Sequence, residues 1–205
     1  NWSKTSRIYP YTILPPKKMR FFKTPMENIT RTTCRLCGSP LSDTVISLGN
    51  QYINDFLEDK ELKGRNGTCP LDIVHCDNCG LYQLRHTAPQ ELLYSRHYWY
   101  KSGINNTIKA DLSEIASLGL EMGKLTTEDV FLDIGANDGT LLSNLAGKCV
   151  RVGCEPATNL LKELTSNSDH QISDFWNKEN YVDLNIPKAK VITALGMFYD
   201  MEDPN

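Results

Sequence analysis

The thirteen residues from Val130 to Leu142, VFLDIGANDGTLL, constrain the fold more than any other stretch of this 205-residue chain. Val130, Phe131, Leu132 and Ile134 make the short apolar run that a strand buried on both faces requires, and such strands belong to parallel sheets. Asp133 and Gly135 stand at the strand's carboxyl end, Asn137 and Gly139 in the turn, and Thr140-Leu141-Leu142 opens a helix. A second strand at 150–154 leads into Glu155, twenty residues beyond Gly135. An acidic side chain at that place in a β-α-β unit is positioned to accept hydrogen bonds from two ribose hydroxyls.

The turn lacks the full dinucleotide fingerprint. Gly135 to Gly139 reads GxxxG, whereas the close backbone approach to a pyrophosphate uses GxGxxG. A ligand made of a ribose, an adenine and a short charged tail suits this loop better than NAD, which points to S-adenosylmethionine. Asp138, inside the turn, reads as a solvent-facing aspartate.

From Asp129 onward the rhythm is β-α-β-α. Strands are expected at 130–134, 150–154, 170–173 and 190–194, with helices from Thr140, near Thr158–Leu164 and near Glu179–Leu184. Right-handed crossovers place the strands in the order 3-2-1-4. Asp174 then ends the third strand beside the point where the order reverses, where an adenine amino group would be met. Phe175 is placed either to stack on adenine or to pack in the core. The fourth strand is an uninterrupted apolar edge, a pairing hazard in a finished sheet, so a truncated domain is expected.

Upstream lie two CxxCG knuckles, Cys34-Arg35-Leu36-Cys37-Gly38 and Cys76-Asp77-Asn78-Cys79-Gly80, with 38 residues between Cys37 and Cys76. A two-residue spacing lets both thiolates of a knuckle face one tetrahedral ion, and the glycine permits the tight turn behind them. Four cysteines fill a structural zinc site and leave no position for a catalytic water. Cys69, Cys149 and Cys154 read as small apolar residues. His75 is either a fifth candidate ligand or, as its strand setting favours, a surface histidine. Short strands are expected at 45–49 and 71–75.

Residues 1–25 show no periodicity and read as an irregular basic arm. A short helix is expected at 89–94. The aromatic stretch His97-Tyr98-Trp99-Tyr100-Lys101-Ser102-Gly103 offers hydroxyl, amine and π faces just before a helix whose stripe Ile104, Ile108, Leu112, Ile115 reads as core. Function and packing are equally open for that cluster. The net charge of −3 is unevenly spread: six basic residues and no acid fall in 1–26, leaving 16 basic against 25 acidic residues elsewhere, a balance of −9. An acidic body excludes a nucleic-acid groove as the main function. No apolar run approaches the ~18 residues that span a membrane. Paired thiols without a secretion signal point to the cytoplasm.

The order CRLCG, CDNCGLYQL, YWYKSG, LDIGANDGTLL and GCEPA resembles the sugar C-methyltransferases. These are zinc-containing, adenosylmethionine-dependent enzymes that act on nucleotide-linked keto-deoxysugars. The resemblance runs from about Cys34 to Asn205 and covers the family's zinc module and the first half of its catalytic domain. It implies an α/β chain: a zinc-binding module (26–87), a helical linker bordering the active site (88–125), and a partial Rossmann-like class I methyltransferase domain (126–205). It implies that Cys34, Cys37, Cys76 and Cys79 ligate zinc, and that Asp133, Gly135, Asn137, Gly139 and Glu155 hold adenosylmethionine. Tyr98, Lys101 and Ser102 join them as cofactor-binding candidates, with Asp174 and Phe175. After the fourth strand the family carries a histidine base; here Gly196-Met197-Phe198-Tyr199-Asp200 has none. Tyr199 is the nearest substitute, and Tyr100 the second catalytic candidate. The expected partner is a small molecule, a nucleotide sugar or a related compound, with no nucleic acid and no membrane. Rival readings are a zinc-module RNA methyltransferase, which calls for a basic face, and a zinc-ribbon adaptor on a degenerate scaffold, which leaves Glu155 unexplained.

Overall fold

The computed structural model describes residues 27–53, 67–95 and 98–201; the arm expected at 1–25, His97 and residues 203–205 lie outside the described residues. The first part of the chain is antiparallel β structure: β1 (Ile29–Thr30), β2 (Thr44–Tyr52), β3 (Thr68–His75), β4 (Tyr82–Leu84) and β5 (His86–Thr87). β1 pairs with β5, and the other three form a sheet in the order β2-β3-β4. The strands expected at 45–49 and 71–75 are longer than the sequence pattern indicates, because pairing extends past the apolar residues to Tyr52 opposite Thr68. The helix expected at 89–94 is a single π-helical turn, Glu91–Ser95.

After a 3-10 turn at Ser102–Ile104 comes α1 (Asn106–Gly123). The Asn105 side chain starts it by accepting the Thr107 and Ile108 amides, and Lys124 in the left-handed region ends it. Leu112 and Ile115 pack on the core, as their spacing predicts. Ile104 does not: it is 75% exposed, because the helix begins beyond it and it never joins the stripe.

The second part alternates strictly: β6 (Val130–Ile134), α2 (Thr140–Ser143), β7 (Val150–Cys154), α3 (Leu161–Asn167), β8 (His170–Ile172), α4 (Lys178–Val182) and β9 (Ala189–Thr193). The four strands are parallel, in the order β8-β7-β6-β9, the expected 3-2-1-4. β6 is buried at all five positions and splits its side chains between two cores. Phe131 packs with Ala116, Leu142, Leu145 and Leu164 on the α1 side, while Val130, Leu132 and Ile134 meet Val152 and Trp176 on the other. β9 lies at the sheet's edge, with Ile192 57% exposed. No helix among the described residues is long and apolar enough to cross a membrane.

Candidate functional site

Two sites are built on this frame. In the first, the hairpin turns of both knuckles fold the same way: the Gly38 amide reaches the Cys34 carbonyl at 2.9 Å and the Gly80 amide the Cys76 carbonyl at 2.8 Å. The Sγ atoms of Cys34, Cys37, Cys76 and Cys79 all lie within 4.8 Å of one another. The donor set fits zinc, for four thiolates need a cation between them. Hydrogen bonds from Ser39 and Asn78 hold the Cys37 thiol down, at about 5. The Leu81 amide pulls Cys79 down too, but burial and the three neighbouring sulfurs push it up to about 12. Gln83, 8% exposed, donates from Nε2 to the Cys34 sulfur at 3.2 Å and accepts the Arg35 amide at 3.2 Å. His75 is not among the four; it pairs with Asp77 at 3.0 Å and leans on Tyr82.

The second site is a cleft of about 690 Å³ at the carboxyl ends of β6 and β7, where ligands of open α/β sheets bind. Its floor is the turn after β6. Gly135 holds φ of +74°, and a Cβ there would stand 2.8 Å from Met197 Cγ, so the glycine admits that side chain over the turn. Glu155, 5% exposed, accepts the Asn137 amide on one oxygen and the Ala157 amide on the other, each at 2.8 Å. Burial raises its proton affinity and those two amides pull it back. Each oxygen keeps a lone pair for a further donor. Asp133 accepts the Thr193 hydroxyl at 2.6 Å; burial, only partly offset by that bond, pushes it up to about 7, with the Glu155 charge adding to the rise.

One wall of the cleft is the aromatic segment, and the loops stitch it down. Asn159 grips Tyr98 through both its amide hydrogen and its carbonyl, each at 3.0 Å. Asn137 accepts the Ser102 amide and donates to the Tyr100 carbonyl, again at 3.0 Å. Asp138 accepts the Gly103 amide at 2.8 Å and the Thr140 hydroxyl at 2.6 Å. The tyrosines follow one another, the Tyr94 and Tyr98 rings tilted at 5.9 Å and the Tyr98 and Tyr100 rings edge to face at 6.4 Å.

Tyr98, Ser102, Asp133, Gly135, Asn137, Glu155 and Phe175 all line the cleft, and so do Tyr100 and Tyr199. Three other candidates are turned elsewhere. The Lys101 ammonium donates to Glu163 on α3 at 2.7 Å, a partner that no sequence pattern links to it. Gly139 serves packing: at φ +77° a Cβ would meet Asn167 Cβ at 2.7 Å. Asp174 caps its own turn, accepting the Phe175 amide at 2.8 Å and the Asn180 side chain at 3.3 Å. The expectation of a solvent-facing Asp138 is overturned: it is 7% exposed, because the segment at 102–103 closes over it. Sequence reasoning also passed over Tyr94, Asp111 and Asp200 in the lining, and nothing local in the sequence marks them.

A family model described as "Putative zinc binding domain" matches residues 34–94. Over 140 residues the chain is 33% identical to the C-methyltransferase NovU of Streptomyces niveus, an alignment covering 66% of this chain and 33% of that protein. The chain spans about a third of the length of the curated relative it matches.

Proposed function

We propose, with the chain's place in the zinc-containing C-methyltransferase family as the premise, that it binds S-adenosylmethionine in the cleft above β6 and β7 and serves methyl transfer to carbon. The observation that carries this reading is Glu155, a buried carboxylate at the end of the second strand with lone pairs left over for two ribose hydroxyls. Adenosylmethionine, when bound, supplies an electrophilic methyl group. Gly135 and Asn137 shape the floor beneath it, and Asp133 faces its charged tail. Phe175 offers a ring to the adenine. Tyr98 and Ser102, fastened by Asn159 and Asn137, close the wall and exclude water. Alignment of donor and acceptor is the larger part of such catalysis, since a well-oriented pair reacts as a single molecule.

The acceptor is a carbon acid, and a nucleotide-linked keto-deoxysugar is the class the reading favours. Tyr100 and Tyr199, 49% and 76% exposed, line the cleft and offer hydroxyls to the acceptor's carbonyl. A zinc ion held by these four cysteines would keep no open position for a water or substrate, and so would serve the fold and not the reaction. Calorimetric titration of the chain with adenosylmethionine and with NAD tests the proposal. Saturable binding of the first and none of the second is expected. Binding of neither favours an adaptor role, and preference for NAD overturns the cofactor assignment.

A further inference from the structure

Among the described residues four carboxylates line the cleft: Asp111, Asp133, Glu155 and Asp200. Removing a proton from carbon needs one that is held in place, open to the acceptor and able to take a proton. Glu155 spends an oxygen on each of two amides, and Asp133 lies 4% exposed at the floor, tied to Thr193. Asp200 sits on the open side, in the 3-10 turn Phe198–Asp200 that follows β9. The turn at 89–95 holds it twice: Gln90 donates to its backbone carbonyl at 3.2 Å, and the Tyr94 hydroxyl hydrogen-bonds its carboxylate. Tyr98 stands within electrostatic reach of both Asp200 and Glu155.

We propose that Asp200 is the base that takes the proton from the acceptor's α-carbon, with Tyr94 as the side chain that positions it. The inference rests on the methyltransferase reading and gives that reaction the base that its missing histidine leaves open. The α C–H bond breaks and the proton goes to an Asp200 oxygen. The bonding pair passes into the enolate, the α-carbon then bonds the methyl carbon, and the methyl–sulfur pair stays with sulfur. Asp200 is exposed at the cleft, yet partial desolvation of its carboxyl raises its proton affinity and the Tyr94 hydrogen bond only partly offsets this, so the group is a stronger base than a fully hydrated aspartate. Tyr199, 76% exposed, lies farther out in solvent.

Proton exchange isolates this step from methyl transfer. The chain is incubated in heavy water with S-adenosylhomocysteine and thymidine diphosphate 4-keto-6-deoxyglucose, and loss of the α-proton signals is followed by NMR. The wild-type chain is expected to exchange them. Asp200→Asn should slow exchange by roughly a hundredfold or more, the usual reach of general base catalysis, while still binding adenosylhomocysteine. Asp200→Glu should recover part of the rate. Tyr94→Phe removes a bond that favours the ionised carboxylate, so the pH midpoint of exchange should move upward. Wild-type exchange in Asp200→Asn, loss in Tyr199→Phe with retention in Asp200→Asn, or no exchange by a wild-type chain that binds the nucleoside overturns Asp200 as the base. Failure to bind adenosylmethionine at all sinks the methyltransferase reading itself, and the inference with it.

Discussion

The Asp138 carboxylate accepts the Gly103 amide at 2.8 Å across 35 positions of chain, and so clamps the segment before α1 onto the turn after β6. The same carboxylate receives the Thr140 amide and hydroxyl, at 3.1 and 2.6 Å, which starts α2. One buried acid thereby joins the cleft's wall to its floor.

Asp138→Ala is expected to strand three donors. Leaving buried donors unsatisfied costs about 1–3 kcal/mol for each group that water cannot reach, so the variant should lose about 2–4 kcal/mol of stability in urea unfolding. Adenosylmethionine affinity should fall several-fold with it, because Gly103, next to Ser102 in the cleft wall, is no longer clamped to the turn. A variant as stable as the wild type would mean that Gly103 is secured by other contacts.

Gln83→Leu probes the zinc site without touching a ligand. The substitution removes the donor to the Cys34 sulfur and the acceptor of the Arg35 amide while keeping the volume. Partners behind metal ligands typically contribute 10–100-fold in affinity, so competition with a chromophoric chelator should show a loss of that order. Metal analysis should give about one zinc per wild-type chain, lost in Cys34→Ser. Unchanged zinc affinity in Gln83→Leu would show that its bond to sulfur is incidental.

Gly119→Ala should destabilise the chain although alanine is the better helix former by about 1 kcal/mol. The new Cβ would stand 2.6 Å from Cε2 of Phe131, whose ring is fully buried, and 3.4 Å from Val191. Overpacking of this kind costs about 1–3 kcal/mol. A raised melting temperature would mean that the Phe131 ring yields.

How far the sequence disclosed this arrangement depends on the range of each interaction. The order β8-β7-β6-β9 was readable because a parallel strand buried on both faces leaves a continuous apolar run, and crossover handedness does the rest. The cysteine cluster was readable because its spacing is local within each knuckle. Asp138, Lys101 and Asp200 were not readable in the same way. Each takes its role from a partner far along the chain, Gly103, Glu163 and Tyr94 respectively, and neither periodicity nor propensity carries that information. Ile104 misled for the opposite reason: its spacing matched a helix that starts after it.

Asp133 predicts a particular pH dependence. Its folded-state value lies near 7, above the unfolded value of about 4, chiefly because of burial. The folded state therefore binds the proton more tightly, and the associated stability is fully present below about pH 4 and lost as pH rises through 7. Asp133→Asn keeps an acceptor for the Thr193 hydroxyl but cannot ionise. The stability difference between wild type and variant should shift in the variant's favour, by on the order of a few kcal/mol, between pH 4 and 8. A difference that stays flat across that range would place the Asp133 carboxyl in contact with water.

Glu155 gives the sharpest test of the cofactor assignment, because its carboxylate has two tasks. It holds the Asn137 and Ala157 amides, so Glu155→Ala loosens the turn as well as any ligand contact. A plain fall in affinity is then ambiguous, and a cycle over protein and ligand is needed. The four measurements are adenosylhomocysteine and its 3′-deoxyribose analogue, each titrated into wild type and Glu155→Ala. If Glu155 accepts the ribose hydroxyls, the wild type should prefer the full ribose by about 1.5–3 kcal/mol, the contribution of a hydrogen bond to a charged group. That preference is roughly tenfold or more in affinity. The variant should bind both ligands more weakly and discriminate between them little. The same preference in both proteins would assign the ribose to another partner and leave Glu155 as the clamp of the turn alone.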